Sequence, residues 1–94
     1  MIEIISSIKA KALIEQGAQL VDVRTAKEFS QGAAPGAVNL PINMLAQQAQ
    51  NLDLKKPVIV YCRTGGRSAM AQQILQSIGF SQVHNVGSID NYLY

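Results

Sequence analysis

The segment PVIVY, at residues 57–61, constrains the fold of this 94-residue chain more strongly than its other segments. It is an apolar run rich in β-branched residues, and Pro57 opens it at the position where a missing N–H does least harm to a strand. The run lacks the alternation of apolar and polar residues that marks a strand with one face in water. Such a strand is typical of a parallel sheet that is covered on both faces.

The rest of the chain alternates between strand and helix patterns. Further strands are predicted at residues 2–5, 19–23, 37–40 and 82–86. Helices are predicted from Ser6 or Ser7 to Gly17, over 25–32 and 42–52, from Ser68 to Gly79, and over 88–94. This alternation predicts the α/β class, with a mainly parallel central sheet and helices on both faces. There is no internal repeat, low-complexity segment or linker, so residues 1–94 are interpreted as a single domain.

Composition restricts the kinds of chemistry that the chain can carry. Hydrophobic residues make up 48% of the sequence and charged residues 15%, a balance that argues against disorder. The single cysteine, Cys62, excludes an internal disulfide and a metal cluster built from cysteines. We expect no metal ion and no cofactor. The thiol therefore either fills space in the core or carries out chemistry.

The net charge of +2 has a local origin. Eight lysines and arginines face six acidic residues, and leaving out Arg63 and Arg67 makes the two counts equal. The surplus is too small and too local for a nucleic-acid partner, and no basic run occurs elsewhere. It predicts a small anion bound at one site.

The segment CRTGGRS, at residues 62–68, has the features of an anion-binding loop. In parallel α/β sheets, ligands bind beyond the carboxyl ends of the strands, and Cys62 directly follows the strongest predicted strand. Gly65 and Gly66 allow successive backbone N–H groups to point inward as a nest. Arg63 and Arg67 add full charges that can pair with oxygens.

The same loop should make the thiol reactive. A helix N-terminus and nearby arginines lower the pKa of a cysteine from ~8.5 to roughly 3.5–7.5, so Cys62 is predicted to be largely a thiolate at neutral pH. It would need no histidine base. Arginines at a helix start are unfavourable unless an anion compensates them, which again predicts a bound anion. The alternative, an inert cysteine in the core, is disfavoured by the flanking arginines and glycines.

Asp22 lies near the end of the predicted strand at 19–23 and Arg24 directly follows it, so both should lie close to this loop. Their functional interpretation is support of the loop, with the Asp22 carboxylate fixing loop amides. The structural alternative, which the spacing favours, is an ordinary surface ion pair of Arg24 with Glu28 at i, i+4.

These segments resemble the rhodanese family of single-domain sulfurtransferases, and the chain is similar to its small phage-shock-type members. CRTGGRS resembles the active-site signature of the family. LVDVRTAKEFSQGAAPGAVNLP, at 20–41, resembles its Asp-Val-Arg segment with the later Pro-Gly-Ala turn, and GFSQVHNVGSI, at 79–89, is similar to its closing strand.

The resemblance implies a ping-pong transfer of sulfur. Cys62 would take the outer sulfur of thiosulfate as a persulfide and pass it to cyanide or another thiol. Arg63 and Arg67 would orient the donor and stabilise the departing sulfite. The resemblance implies a substrate-binding loop made of Arg63, Thr64, Gly65, Gly66, Arg67 and Ser68, whose backbone amides hold the persulfide.

Three alternatives remain beside this enzyme. One is a persulfide carrier that delivers sulfur to a protein partner. Another is a phosphatase or arsenate reductase, although those relatives have five residues between cysteine and arginine where this chain has four. A non-catalytic rhodanese-like binding module would normally lack the cysteine.

The chain departs from the family pattern at three places. Ala33-Ala34 stands where His-Ile is usual, Gly87-Ser88 where Gly-Gly is usual, and Tyr92 is nearest to a missing tryptophan. We expect the first to alter packing rather than activity.

The N-terminal residues lack the pattern of a secretory signal, and no stretch is long enough to span a membrane. We therefore expect a cytoplasmic monomer that contacts no membrane. The location would be periplasmic if the chain is a mature form without its signal.

Overall fold

The computed structural model describes residues 3–94, which form one parallel sheet with helices on both faces. The sheet has four strands in the order β2-β1-β3-β4, and every neighbouring pair is parallel. The strands are β1 (Gln19–Asp22), β2 (Val38–Asn39), β3 (Val58–Cys62) and β4 (Val83–Ser88). Every residue of β3 is fully buried, because β3 lies between two other strands and beneath helices on both sides. The predicted parallel α/β fold is confirmed.

Five helices surround this sheet. They are α1 (Ser7–Glu15), α2 (Ala26–Ser30), α3 (Leu45–Gln48), α4 (Gly66–Ser77) and α5 (Ile89–Leu93). Side chains of Ser6, Thr25 and Ser88 cap the N-termini of α1, α2 and α5, satisfying backbone donors that a helix start leaves unpaired. Within residues 3–94, no helix combines the length and the apolar character that crossing a membrane requires.

The core consists of two layers, one on each face of the sheet. On one face α3 and α4 pack onto the strands, and this layer contains Leu45, Leu75, Val60 and Cys62. On the other face α1 and α5 cover Tyr61 and its neighbours. Adjacent residues of β3 therefore enter different layers, because side chains alternate along a strand. Cys62 thus begins in the layer that α4 covers, and the loop that follows leads directly into that helix.

Three predicted elements differ in the structure. The expected strand at 2–5 is reduced to one bridge between Ile4 and Asn85, while Ile2 lies outside the described residues. The expected helix at 42–52 is divided into 3₁₀ turns on either side of the short α3, and no side chain caps any of the three pieces. Helix α4 begins at Gly66 rather than Ser68, so that Arg67 and Ser68 lie in its first turn.

Candidate active site

The loop between β3 and α4 wraps its backbone around the sulfur of Cys62. The N–H of Gly65 donates to Sγ at 2.9 Å and the N–H of Ser68 donates at 3.4 Å. Gly65 has a φ of +110°, a conformation that only glycine adopts without strain, at the turn from the loop into α4. Cys62 itself is fully buried. The loop is therefore a cradle for a sulfur anion.

The environment of Cys62 lowers the pKa of its thiol. Burial alone would raise the pKa, but hydrogen bonds from the Ser68 hydroxyl and from the amides of Ser68, Gly65 and Thr64 outweigh burial. These donors stabilise the thiolate and disfavour the neutral thiol. The direction agrees with the sequence-based expectation, while its main cause is the loop itself and not the arginines. A lowered pKa makes the sulfur a better nucleophile at neutral pH.

The Ser68 hydroxyl links the sulfur to β4. Oγ of Ser68 lies 3.6 Å from Sγ of Cys62 and is within donating distance of two carbonyl oxygens, those of Gly65 at 3.0 Å and Gly87 at 3.3 Å. Gly87 reaches this position through a bulge in β4, where Val60 pairs with Asn85 and Tyr61 already pairs with Gly87. The Asn85 side chain accepts from the Gly87 N–H at 2.8 Å and holds the bulge. Asn85 is a site-supporting residue that sequence patterns did not indicate.

Asp22 and Arg24 form a buried ion pair at the end of β1. The backbone N–H, Nε and Nη2 of Arg24 all donate to the Asp22 carboxylate, the shortest contact being 2.6 Å. The Tyr61 hydroxyl donates to the same carboxylate at 2.7 Å and accepts from the N–H of Ala34. The expected Arg24–Glu28 pair is wrong, because Arg24 precedes the Thr25 cap of α2 and lies outside the helix where i, i+4 spacing applies. The Asp22 carboxylate accepts its hydrogen bonds from Arg24 and Tyr61, and it accepts none from the loop amides.

Glu28 pairs instead with Arg67 of the loop. Nη1 and Nη2 of Arg67 contact the two carboxylate oxygens at 2.7 and 3.0 Å, a two-pronged geometry. The hydrogen bond from Arg67, followed by one from the Thr25 backbone, lowers the pKa of Glu28 to about 2. The sequence suggested that an anion must compensate an arginine at this helix start. For Arg67, that compensation is supplied by the chain's own carboxylate.

Arg63 has a different environment from the other two arginines. Its side chain is exposed, and among residues 3–94 it forms no ion pair. It borders a cavity of about 300 Å³ whose other lining residues are Arg24, Glu28, Gln31, Gly32, Ile89 and Asp90. Thr64 and Gly66 are exposed at the mouth of the same loop. In the described part of the chain, no group of three or more His, Cys, Asp and Glu residues is placed to hold a metal ion.

The structure thus brings residues 62–68, Asp22 and Arg24 to one edge of the sheet. The sequence profile of the family described as rhodanese-like domain matches residues 6–93. The chain belongs to the rhodanese-like domain family.

Other comparisons agree with this assignment. The chain is 42% identical over 78 residues to a protein named thiosulfate sulfurtransferase GlpE from Pseudomonas savastanoi pv. phaseolicola, covering 83% of this chain and 74% of that protein. It superposes on a solved structure of the human single-domain sulfurtransferase TSTD1 with a TM-score of 0.84 and 27% identity, covering 96% and 94% of the two chains. It is also 28% identical over 82 residues to the putative sulfur carrier protein YrkF of Bacillus subtilis, covering 87% of this chain and 44% of that protein.

Proposed function

We propose that this rhodanese transfers the outer sulfur of thiosulfate to a thiophilic acceptor through a persulfide on Cys62. The observation that carries the proposal is the cradle around Sγ, which receives N–H groups from Gly65 and Ser68. The same arrangement that lowers the pKa of the thiol also suits a persulfide anion, because the donors are fixed before any sulfur arrives.

In the first half-reaction the Cys62 thiolate attacks the outer sulfur of thiosulfate. A bond forms between Sγ and that sulfur, the S–S bond of thiosulfate breaks, and its electron pair leaves with sulfite. Arg63 borders the cavity at the loop and is free to attract the donor's oxygens. We assign it the orienting role, at the mouth of the loop where Thr64 and Gly66 are also exposed.

In the second half-reaction an external nucleophile removes the outer sulfur. Cyanide would attack that sulfur, thiocyanate would leave, and the electron pair of the broken S–S bond would return to Sγ as the thiolate. The chain has no second cysteine, so no internal thiol can resolve the persulfide. The acceptor must therefore be a small molecule or another protein.

The loop supports sulfur chemistry better than phosphoryl transfer. Only four residues separate Cys62 from Arg67, which leaves a tight cradle. In addition, each terminal nitrogen of Arg67 donates one hydrogen bond to Glu28, whereas a phosphatase uses such an arginine to hold the transferred group.

A persulfide carrier is the second candidate. The similarity to a protein named as a putative sulfur carrier favours it. The ion pair of Arg67 with Glu28 also favours it, because it leaves one unpaired arginine fewer at the anion site. The carrier and the enzyme share Cys62 and the same first intermediate, and they differ in how fast small acceptors discharge it.

The test combines intact mass after incubation with thiosulfate and thiocyanate release in the presence of cyanide. We expect an adduct with the mass of one sulfur atom, removed by cyanide at an enzymatic rate. Cys62→Ser should abolish both, while Ser77→Ala, which changes a hydroxyl at the far end of α4, should change neither. An adduct that cyanide removes only slowly would favour the carrier. Absence of any adduct would disprove both candidates.

A further inference from the structure

Three arginines lie around the mouth of the loop, and only one of them is not paired with a carboxylate in the described part of the chain. Arg24 is committed to Asp22, and Arg67 is committed to Glu28 by two hydrogen bonds. Arg63 is exposed and unpaired in the described part of the chain. The site therefore presents less free positive charge than the sequence suggests.

The Glu28 carboxylate is also held in place by Thr25, at the start of its own helix α2. Oε1 accepts from the Thr25 N–H at 3.1 Å, and the Thr25 hydroxyl lies 3.2 Å from the same oxygen. This is a capping box, so the position of the carboxylate is set by the start of α2 and not by Arg67 alone. Its lowered pKa keeps the group ionised across the physiological pH range.

Glu28 also faces the cavity that Arg63 borders. It lines this cavity together with Arg63, and its side chain is 24% exposed. An anion in the cavity meets a fixed negative charge there, and an anion bound at the loop must compete with the same charge for the guanidinium of Arg67. The effect should increase with the charge of the anion, since the repulsion is proportional to the product of the charges.

We propose that Glu28 is a specificity-determining residue that, by holding Arg67 in a two-pronged ion pair, prevents the loop from retaining inorganic dianions. Thiosulfate is itself a dianion, so it too is held weakly, through Arg63 and the loop amides, and it differs from sulfate, phosphate and arsenate in leaving its outer sulfur on Cys62. The sulfite product then leaves readily. This inference rests on the proposed sulfurtransferase function. Its test does not depend on sulfur transfer.

The experiment is a titration of the folded protein with inorganic sulfate at constant ionic strength, followed by NMR shifts of the amides of residues 62–68. Glu28→Gln removes the charge and keeps the size of the side chain. We expect it to lower the sulfate dissociation constant by roughly three- to tenfold, the order expected for removing one charge near the anion in a partly exposed site. The gain should shrink at high salt.

Two further variants separate release of Arg67 from a general change in charge. Asp90→Asn removes another carboxylate of the same cavity, one that forms no ion pair among residues 3–94, and it should have a clearly smaller effect. The double variant Glu28→Gln/Arg67→Gln has the net charge of the wild type and should bind sulfate within about twofold of it.

The proposal is overturned if Glu28→Gln binds sulfate no more tightly than the wild type, including the case in which neither protein binds it. It is also overturned if Asp90→Asn gives an equal gain, or if the double variant keeps the gain. As a second readout, added sulfate should inhibit thiocyanate formation more strongly in Glu28→Gln than in the wild type. If sulfur transfer fails but Glu28→Gln still binds sulfate more tightly than the wild type, the proposed function is disproved. The proposed role of Glu28 in anion binding then stands.

Discussion

Asp22→Asn tests the buried ion pair beneath the active-site edge. The substitution keeps the shape of the side chain and removes its charge. Asp22 is fully buried, and Arg24 is only 7% exposed, so water cannot take over the role of the lost carboxylate. Three donor groups of Arg24 and the Tyr61 hydroxyl point at Asp22, and an asparagine amide has only one oxygen to accept from them.

The expected cost follows from the burial of the pair. Removing one partner of a buried ion pair destabilises a protein by about 3–5 kcal/mol, because the other charge is left uncompensated. Arg24 keeps its hydrogen bond to the Gly32 carbonyl at 2.7 Å and its position near the Tyr61 ring, so we expect about 3 kcal/mol, at the lower end. A domain of this size has a free energy of unfolding of about 5–14 kcal/mol. The melting temperature should therefore fall by about 12–24 °C.

The assay is urea unfolding followed by far-ultraviolet circular dichroism, with thermal melting alongside. Asp53→Asn is the matched control, because Asp53 is exposed. This substitution should change the free energy of unfolding by less than about 0.5 kcal/mol. Arg24→Gln in the Asp22→Asn background should cost far less than in the wild type, since the unpaired charge is then gone. A loss below about 1 kcal/mol for Asp22→Asn, or additive effects of the two substitutions, would refute the reasoning.

Three further outcomes follow from the loop geometry. Ser68→Ala should raise the pKa of Cys62, because it removes a hydrogen bond that lowers this pKa. The measurement is ultraviolet absorbance of the thiolate against pH, and an unchanged pKa would exclude the hydroxyl as a cause. Gly65→Ala should cost about 1–3 kcal/mol and slow persulfide formation, because alanine is strained at a φ of +110°. The comparison is Gly66→Ala, where the backbone has no positive φ and an added Cβ would meet nothing within 4 Å; equal losses would contradict the argument. The pKa of Glu28 is lowered from 4.5 to about 2, so its ion pair stabilises the fold above about pH 4.5 and is lost as the pH falls toward 2. Because both partners are partly exposed, Glu28→Gln should destabilise by less than about 1 kcal/mol at neutral pH, with the difference from wild type vanishing in acid.

Four strands and the position of the thiol could be predicted because they depend on local patterns, whereas the strand expected at 2–5 is reduced to one bridge at Ile4. The apolar run at 57–61 has no polar face, and burial on both sides of the sheet is the only arrangement that suits it. The pair of glycines after Cys62 likewise indicated a tight turn, and Gly65 does adopt a positive φ there. The helix boundaries were predicted less accurately, because helix propensity alone does not determine where packing against neighbouring elements begins or ends a helix. The segment 42–52 became three short pieces, and α4 began two residues early.

The amino-acid sequence by itself determined that a parallel α/β sheet would carry a single cysteine into a glycine-rich loop. The partners of the charged residues were decided only by tertiary structure. Glu28 and Arg67 are 39 positions apart, and they meet because parallel strands bring the loops that follow them to one edge of the sheet. Asp22 and Tyr61 are also 39 positions apart and lie in register on adjacent strands. Local spacing pointed to an Arg24–Glu28 pair, since ion-pair rules for helices say nothing about partners that the fold brings in from elsewhere.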